Sequence, residues 1–100
     1  YNQFAPLVNA CSVALKWQTY DVFFRAPREG EHVGPRITVL HNGQLIHNSI
    51  ELLGVTGAAL DEAIYAPGPL LLQDHGDLVC YRNIWIVEQP LVGSDKYEPR

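Results

Sequence analysis

Asn42-Gly43 stands between two runs in which apolar and polar residues alternate, Arg36–His41 and Gln44–Glu51. Asn followed by Gly tolerates the positive φ that both central positions of a type I′ turn require, and that turn twists in the sense that matches two flanking antiparallel strands. The segment therefore predicts a two-residue β-hairpin. A regular ladder closed by this turn sets His41 opposite Gln44, Leu40 opposite Leu45, Val39 opposite Ile46 and Thr38 opposite His47. Ile37, Val39, Ile46 and Ile50 then form a core surface, and Thr38 and His47 lie on the reverse side with Leu40 and Leu45.

The rest of the chain extends the same pattern. Trp17–Arg25 is rich in aromatic and β-branched residues and is closed by Ala26-Pro27, which predicts a strand. Tyr20, Val22 and Phe24 would share its core side, with Trp17, Thr19, Asp21, Phe23 and Arg25 on the other. Arg28–Pro35, punctuated by Gly30 and Gly34-Pro35, reads as an exposed loop. Leu53–Pro69 holds a helix-compatible stretch too short to stand alone and is expected to cross the sheet edge as a loop. Leu70–His75 and Val79–Glu88, separated by Gly76-Asp77, read as a second hairpin. The expected class is all-β: antiparallel hairpins belonging to a jelly-roll sandwich, with no place for a helical or α/β domain.

A chain of 100 residues, 47% of them hydrophobic, is one domain or a piece of one. It opens on Tyr1, and ordered apolar chain begins at once, so an upstream part is expected. Only 18% of residues are charged and the net charge is −4, which argues against a nucleic-acid backbone or an anionic membrane as partner and fits a neutral ligand. No apolar run approaches the roughly 20 residues of a spanning helix. Cys11 and Cys80 lack the paired spacing of a zinc or redox motif, and two buried free thiols are expected in preference to a disulfide.

Chemistry concentrates at Gln73-Asp74-His75-Gly76, where a carboxamide, a carboxylate and an imidazole follow one another. Alternation puts Gln73 and His75 on one face and Asp74 with Leu70 and Leu72 on the other. His75 can act as base or acid near neutral pH, Gln73 can hold sugar hydroxyls, and Asp74 can fix a loop or orient a neighbour. A His before a Gly also commonly serves only the turn. His41 and Asn42 have turn chemistry as their default role, and His47 lies on a strand beside Thr38. Trp17 and Trp85 could stack on pyranose rings or simply pack. Arg25 and Arg82 could grip a ligand oxygen or pair with a carboxylate such as Asp21. No phosphate loop, nucleophile elbow or metal-spaced cluster is present.

Three segments together resemble one family, the 3-keto-disaccharide hydrolase domain. They are Trp17–Pro27, Thr38–Gly43, and Gly68–Gly76 running on to Tyr81–Ile86; their order and spacing also agree, and Asn9-Ala10-Cys11 is similar to the segment that precedes the family's Trp-Gln strand. The resemblance implies a concanavalin A-like jelly-roll sandwich, of which residues 1–90 would be the C-terminal half, with 91–100 as a loosely held tail. Ser12–Lys16, Leu78 and Cys80 depart from the family pattern and bear on loop entry and pocket shape.

By the same resemblance the substrate would be a glycoside already oxidised to a ketone at the third carbon of the sugar. Such a ketone acidifies the C2 proton, so that a base can remove it and the C1 group can leave, after which water adds back. His75 would be that base or acid, with Asp74 beside it, and Gln73, Arg25, His47 and Trp17 would contact saccharide, Arg25 and His47 from one side of the sheet. No spacing specifies a divalent metal, and the cofactor is left open. Export from a bacterial cell is implied by the family alone. Half a sandwich leaves Ile37, Val39, Ile46, Ile84 and Ile86 facing water, so a homodimer or the absent N-terminal half is expected as cover. The competing expectations are a non-catalytic carbohydrate-binding or structural sandwich, and an inactive fragment.

Overall fold

The computed structural model describes residues 3–30 and 32–90. The expected tail at 91–100 lies outside the described residues. The chain divides into two units, Tyr1–Pro69 and Leu70–Arg100.

The first unit is built on one open antiparallel sheet of three strands: β1 (Tyr20–Arg25), β2 (Arg36–His41) and β3 (Gln44–Glu51), in the order β1-β2-β3. No helix occurs among the described residues, so none there is long and apolar enough to cross a membrane. The predicted turn is present, with Asn42 at φ 51° and Gly43 at φ 77°. β1 pairs with β2 without interruption from Tyr20↔His41 to Arg25↔Arg36. Arg28 bridges back to Val33, its amide donating to the Val33 carbonyl at 3.1 Å, so the connection predicted as a plain loop carries one further rung.

The β2–β3 register departs from the expected one after two rungs. His41↔Gln44 and Leu40↔Leu45 hold, but Val39 then faces His47, and Ile37 faces Ile50. β3 thus carries Ile46 as an extra residue before one rung, and sets Asn48 and Ser49 against Thr38 alone before the next. Ser49 adopts φ 47°, and its amide donates to Thr38 Oγ1 at 2.9 Å, which occupies a donor displaced from the ladder. Directly opposed residues of a ladder share a face. His47 therefore lies with Val39 and Val22, not with Thr38, and Arg25 lies with Phe23 and Thr38 on the reverse face.

The N-terminal segment runs along the outer edge of β3. Leu7 donates its amide to the Ile46 carbonyl at 2.9 Å, and the Gln3 carboxamide clamps the chain beyond β3, donating to the Gly54 carbonyl at 3.1 Å and accepting from the Leu53 amide at 2.7 Å. Among the described residues the buried side chains are Ala10, Val39 and His41. All of β1 is exposed. Of the apolar surface expected to face water, Val39 is buried, Ile37 and Ile46 are half-buried, and Ile84 and Ile86 are exposed.

In the second unit, residues 70–90 contain no strand, so the second hairpin is not formed. Asn83 sits at φ 54° in the middle of the run that alternation marked as a strand. A left-handed residue reverses the pleat locally, and among the described residues of this unit no partner ladder is present to hold the rest extended.

Candidate functional site

The Gln73-Asp74-His75-Gly76 segment of the second unit forms a turn held at both ends. Asp74 Oδ1 accepts from the Gly76 amide at 2.8 Å, a local turn that Asp favours because its carboxylate reaches an amide two residues on. Gly76 takes φ 87°, which a residue without Cβ reaches without steric cost. Tyr81 Oη donates to the Gln73 carbonyl at 2.8 Å and ties down the other end. Asp74 is therefore a turn-forming carboxylate and not a core-side strand residue.

Gln73 and His75 project together, as alternation predicted, and meet directly through Gln73 Nε2 and His75 Nε2 at 2.5 Å. With the carboxamide oriented this way the amide N–H donates, His75 Nε2 accepts, and the imidazole proton sits on Nδ1. Half a turn of the amide would present Oε1 instead, stabilising a proton on Nε2 and placing the lone pair on Nδ1. Gln73 can therefore select the ring nitrogen that works as a base. Gln73, Asp74 and His75 are all exposed.

The remaining sequence candidates belong to the first unit. Trp17 precedes β1 instead of opening it, and is 51% exposed. Arg25 ends β1 opposite Arg36, so the expected partnership with Asp21 gives way to two like charges facing each other. Arg36 is engaged elsewhere: it donates to the Ser49 carbonyl at 2.6 Å and lies 3.7 Å from Glu51. Arg25 and His47 were expected on one side of the sheet, and the bulges of β3 place them on opposite sides. A saccharide lying on one face could meet only one of them.

Sequence reasoning missed a polar cluster at the hairpin end of the sheet. Gln18 Oε1 accepts from the Ser12 amide at 3.0 Å, from Asn42 Nδ2 at 3.2 Å, and from His41 Nε2 at 2.8 Å. The Ser12 amide can only donate, which fixes the Gln18 oxygen there and obliges His41 to carry its proton on Nε2. Asn42 also donates to the Ala10 carbonyl at 2.8 Å and to Ser12 Oγ at 3.2 Å, while its Oδ1 accepts from the Thr19 amide at 3.0 Å. The His41 ring is buried and stacks on Tyr20 with centroids 4.4 Å apart and planes 8° from parallel. The turn residue Asn42 thus joins the hairpin to the chain entering β1 and to the segment around Ala10. The available signal was the β1–β2 register, which brings His41 opposite Tyr20 as soon as those two strands are paired.

Among the described residues no group of three His, Cys, Asp or Glu side chains is placed to hold a metal ion. Cys11 and Cys80 are free, as expected, but exposed instead of buried. A shallow, mainly apolar cleft of about 430 Å³ lies in the first unit between Phe24 and Pro27 on one side and Tyr65 and Pro67 on the other, and contains none of the expected site residues.

An open antiparallel sheet, together with a separate turn that exposes a carboxamide-supported imidazole, defines an all-β module in which Gln73, Asp74 and His75 lie together on one exposed turn. The family model described as the 3-keto-alpha-glucoside-1,2-lyase-like domain matches residues 1–87, and the chain belongs to that family. No curated protein and no solved structure matches it.

Proposed function

We propose that this chain is a carbohydrate-active module that acts on 3-keto-glycosides, with His75 moving the proton at C2. The observation that carries the reading is the Gln73–His75 contact on a turn pinned by Asp74 and Tyr81, within a chain whose family is described as 3-keto-alpha-glucoside-1,2-lyase-like, a name that fits elimination across C1 and C2 of a keto-glucoside. The C3 ketone allows the electrons of the broken C2–H bond to enter an enolate. Collapse of the enolate forms the C1–C2 double bond and expels the C1 oxygen with its electron pair, and the departing oxygen takes up a proton. Addition of water across that double bond would complete net hydrolysis.

In this scheme the lone pair of the His75 ring accepts the C2 proton, and the resulting imidazolium can return a proton to the leaving oxygen. Gln73 holds the ring and can hydrogen-bond a sugar hydroxyl once the substrate displaces it. Asp74 acts through the turn it closes. The exposure of this cluster favours, as second reading, a module that binds the saccharide without turning it over, because proton abstraction gains from a site shielded from water.

A chromogenic 3-keto-α-glucoside with a nitrophenol leaving group tests both. Release of nitrophenol, slowed by deuterium at C2 and reduced about 10²- to 10⁴-fold in His75→Ala with unchanged circular dichroism, is the expected result. Binding of the glycoside without release establishes the second reading, and release unaffected by His75→Ala rejects the role given to this residue.

A further inference from the structure

We infer that β1 is a dimerisation edge, pairing antiparallel with β1 of a second copy of this chain about a two-fold axis at Phe23. β1 is the outer strand of the sheet, and each of its six residues is exposed. Tyr20, Val22, Phe23 and Phe24 are 54–64% exposed, so the strand offers apolar surface on both faces. No proline, lysine or bulge interrupts Tyr20–Arg25, so of the features that usually blunt a free edge the strand carries only the charges of Asp21 and Arg25, which are of opposite sign.

The main chain of β1 is set for such pairing. The Asn42 amide donates to the Thr19 carbonyl at 2.9 Å, so Thr19 turns its main-chain groups toward β2. Alternation then turns those of Asp21, Phe23 and Arg25 inward and those of Tyr20, Val22 and Phe24 outward to the free edge. A two-fold axis perpendicular to the sheet at Phe23 places Val22 opposite Phe24 of the copy, where their outward amides and carbonyls bond reciprocally. The same register sets Phe23 against Phe23 and Asp21 against Arg25, each as a non-hydrogen-bonded pair, in which side chains approach most closely.

Charge selects this register and this occupant. Asp21 and Arg25 are the two charged residues of β1, they share a face, and the axis at Phe23 brings each against the other's counterpart twice. A shift of the axis to Val22 would set Asp21 against Phe23 and lose both contacts. Within its own chain Arg25 faces the like charge of Arg36, so a carboxylate arriving from outside meets an unfavourable arrangement already present.

Sedimentation equilibrium of the full chain and its charge variants tests the proposal. The chain should be dimeric. Asp21→Arg and Arg25→Asp should each weaken association by about tenfold or more, since either reversal makes two like-charge contacts. The double exchange Asp21→Arg with Arg25→Asp should restore association, because the pairs are then re-formed with their signs swapped. With Cys11 and Cys80 replaced by Ser, Phe23→Cys should cross-link to itself on oxidation, whereas Val22→Cys should not. A chain monomeric at every concentration reached, a double exchange no tighter than the single reversals, or self-cross-linking of Val22→Cys in preference to Phe23→Cys would overturn it. Circular dichroism of each variant separates lost pairing from lost fold.

Discussion

Asn42 offers the most direct test of how the sheet is held, because its backbone and side chain make separable contributions. Replacement by Ala removes the donors to Ala10, Ser12 and Gln18 and the acceptor for Thr19, and forces a residue with Cβ to keep φ near 51°. A left-handed Ala costs about 1 kcal/mol. The side-chain bonds contribute about 1 kcal/mol each at most, and Asn42 is only half-buried, so their joint loss is about 2 kcal/mol. Asn42→Ala should therefore cost about 3 kcal/mol and Asn42→Gly about 2 kcal/mol, since Gly keeps the turn and loses only the side chain. Asn42→Asp should be at least as damaging as Asn42→Gly: it still accepts from Thr19 but turns an oxygen toward the Ala10 carbonyl and Gln18 Oε1, both acceptors. Equilibrium urea unfolding, followed by circular dichroism and by Trp17 fluorescence in a Trp85→Phe background, measures all three. With a slope of about 1 kcal/mol per molar urea, the Asn42→Gly midpoint should fall by about 2 M. Equal costs for Ala and Gly would refute the strained turn, and an Asn42→Gly midpoint indistinguishable from the parent would refute the side-chain network.

Two further outcomes follow from single contacts. Tyr81→Phe removes the donor to the Gln73 carbonyl; because the pair is exposed, stability should change by less than about 1 kcal/mol, while nitrophenol release should fall through looser placement of His75, a split that unfolding and rate measurements on the same sample resolve. Gly34→Ala would bring a Cβ to 2.5 Å from Glu51 Oε1, but that atom ends a flexible, half-exposed side chain, so the carboxylate should swing off Arg36 at a cost below about 1 kcal/mol, read as a shift in urea midpoint.

The hairpin was legible because its turn is chemically specified: only residues at ease with positive φ fit its centre, and Asn42-Gly43 is such a pair. Family membership was likewise legible, carried by the order of several segments. Register beyond Leu45 was not, since alternation assumes one residue against one, and β3 spends eight residues against the six of β2. Asn48-Ser49 held a hint, being two short polar residues inside a strand where a left-handed conformation is tolerable, but periodicity says nothing of where an extra residue is absorbed. For Leu70–Glu88, alternation described which side chains could share a face, whereas a strand also needs a neighbour to accept its main-chain bonds, and Asn83 breaks the extended run. At the candidate site, spacing correctly joined Gln73 and His75 and misplaced Asp74, whose reach to the Gly76 amide outweighs its position in the alternation. The Gln18 cluster escaped because its partners are brought together by pairing and not by proximity in sequence.

The hold on Asn42 also bears on how the molecule ages. An Asn followed by Gly is the sequence most open to attack by the next main-chain nitrogen on the carboxamide carbon, which expels ammonia and leaves a succinimide that hydrolyses to aspartate or isoaspartate. Here the carboxamide is tethered from several directions, so the attack must wait for the hairpin end to open. The rate of this covalent change, followed by mass spectrometry of the peptide spanning Asn42, would then clock the opening of the sheet, and each event would leave a carboxylate that hinders its closing again.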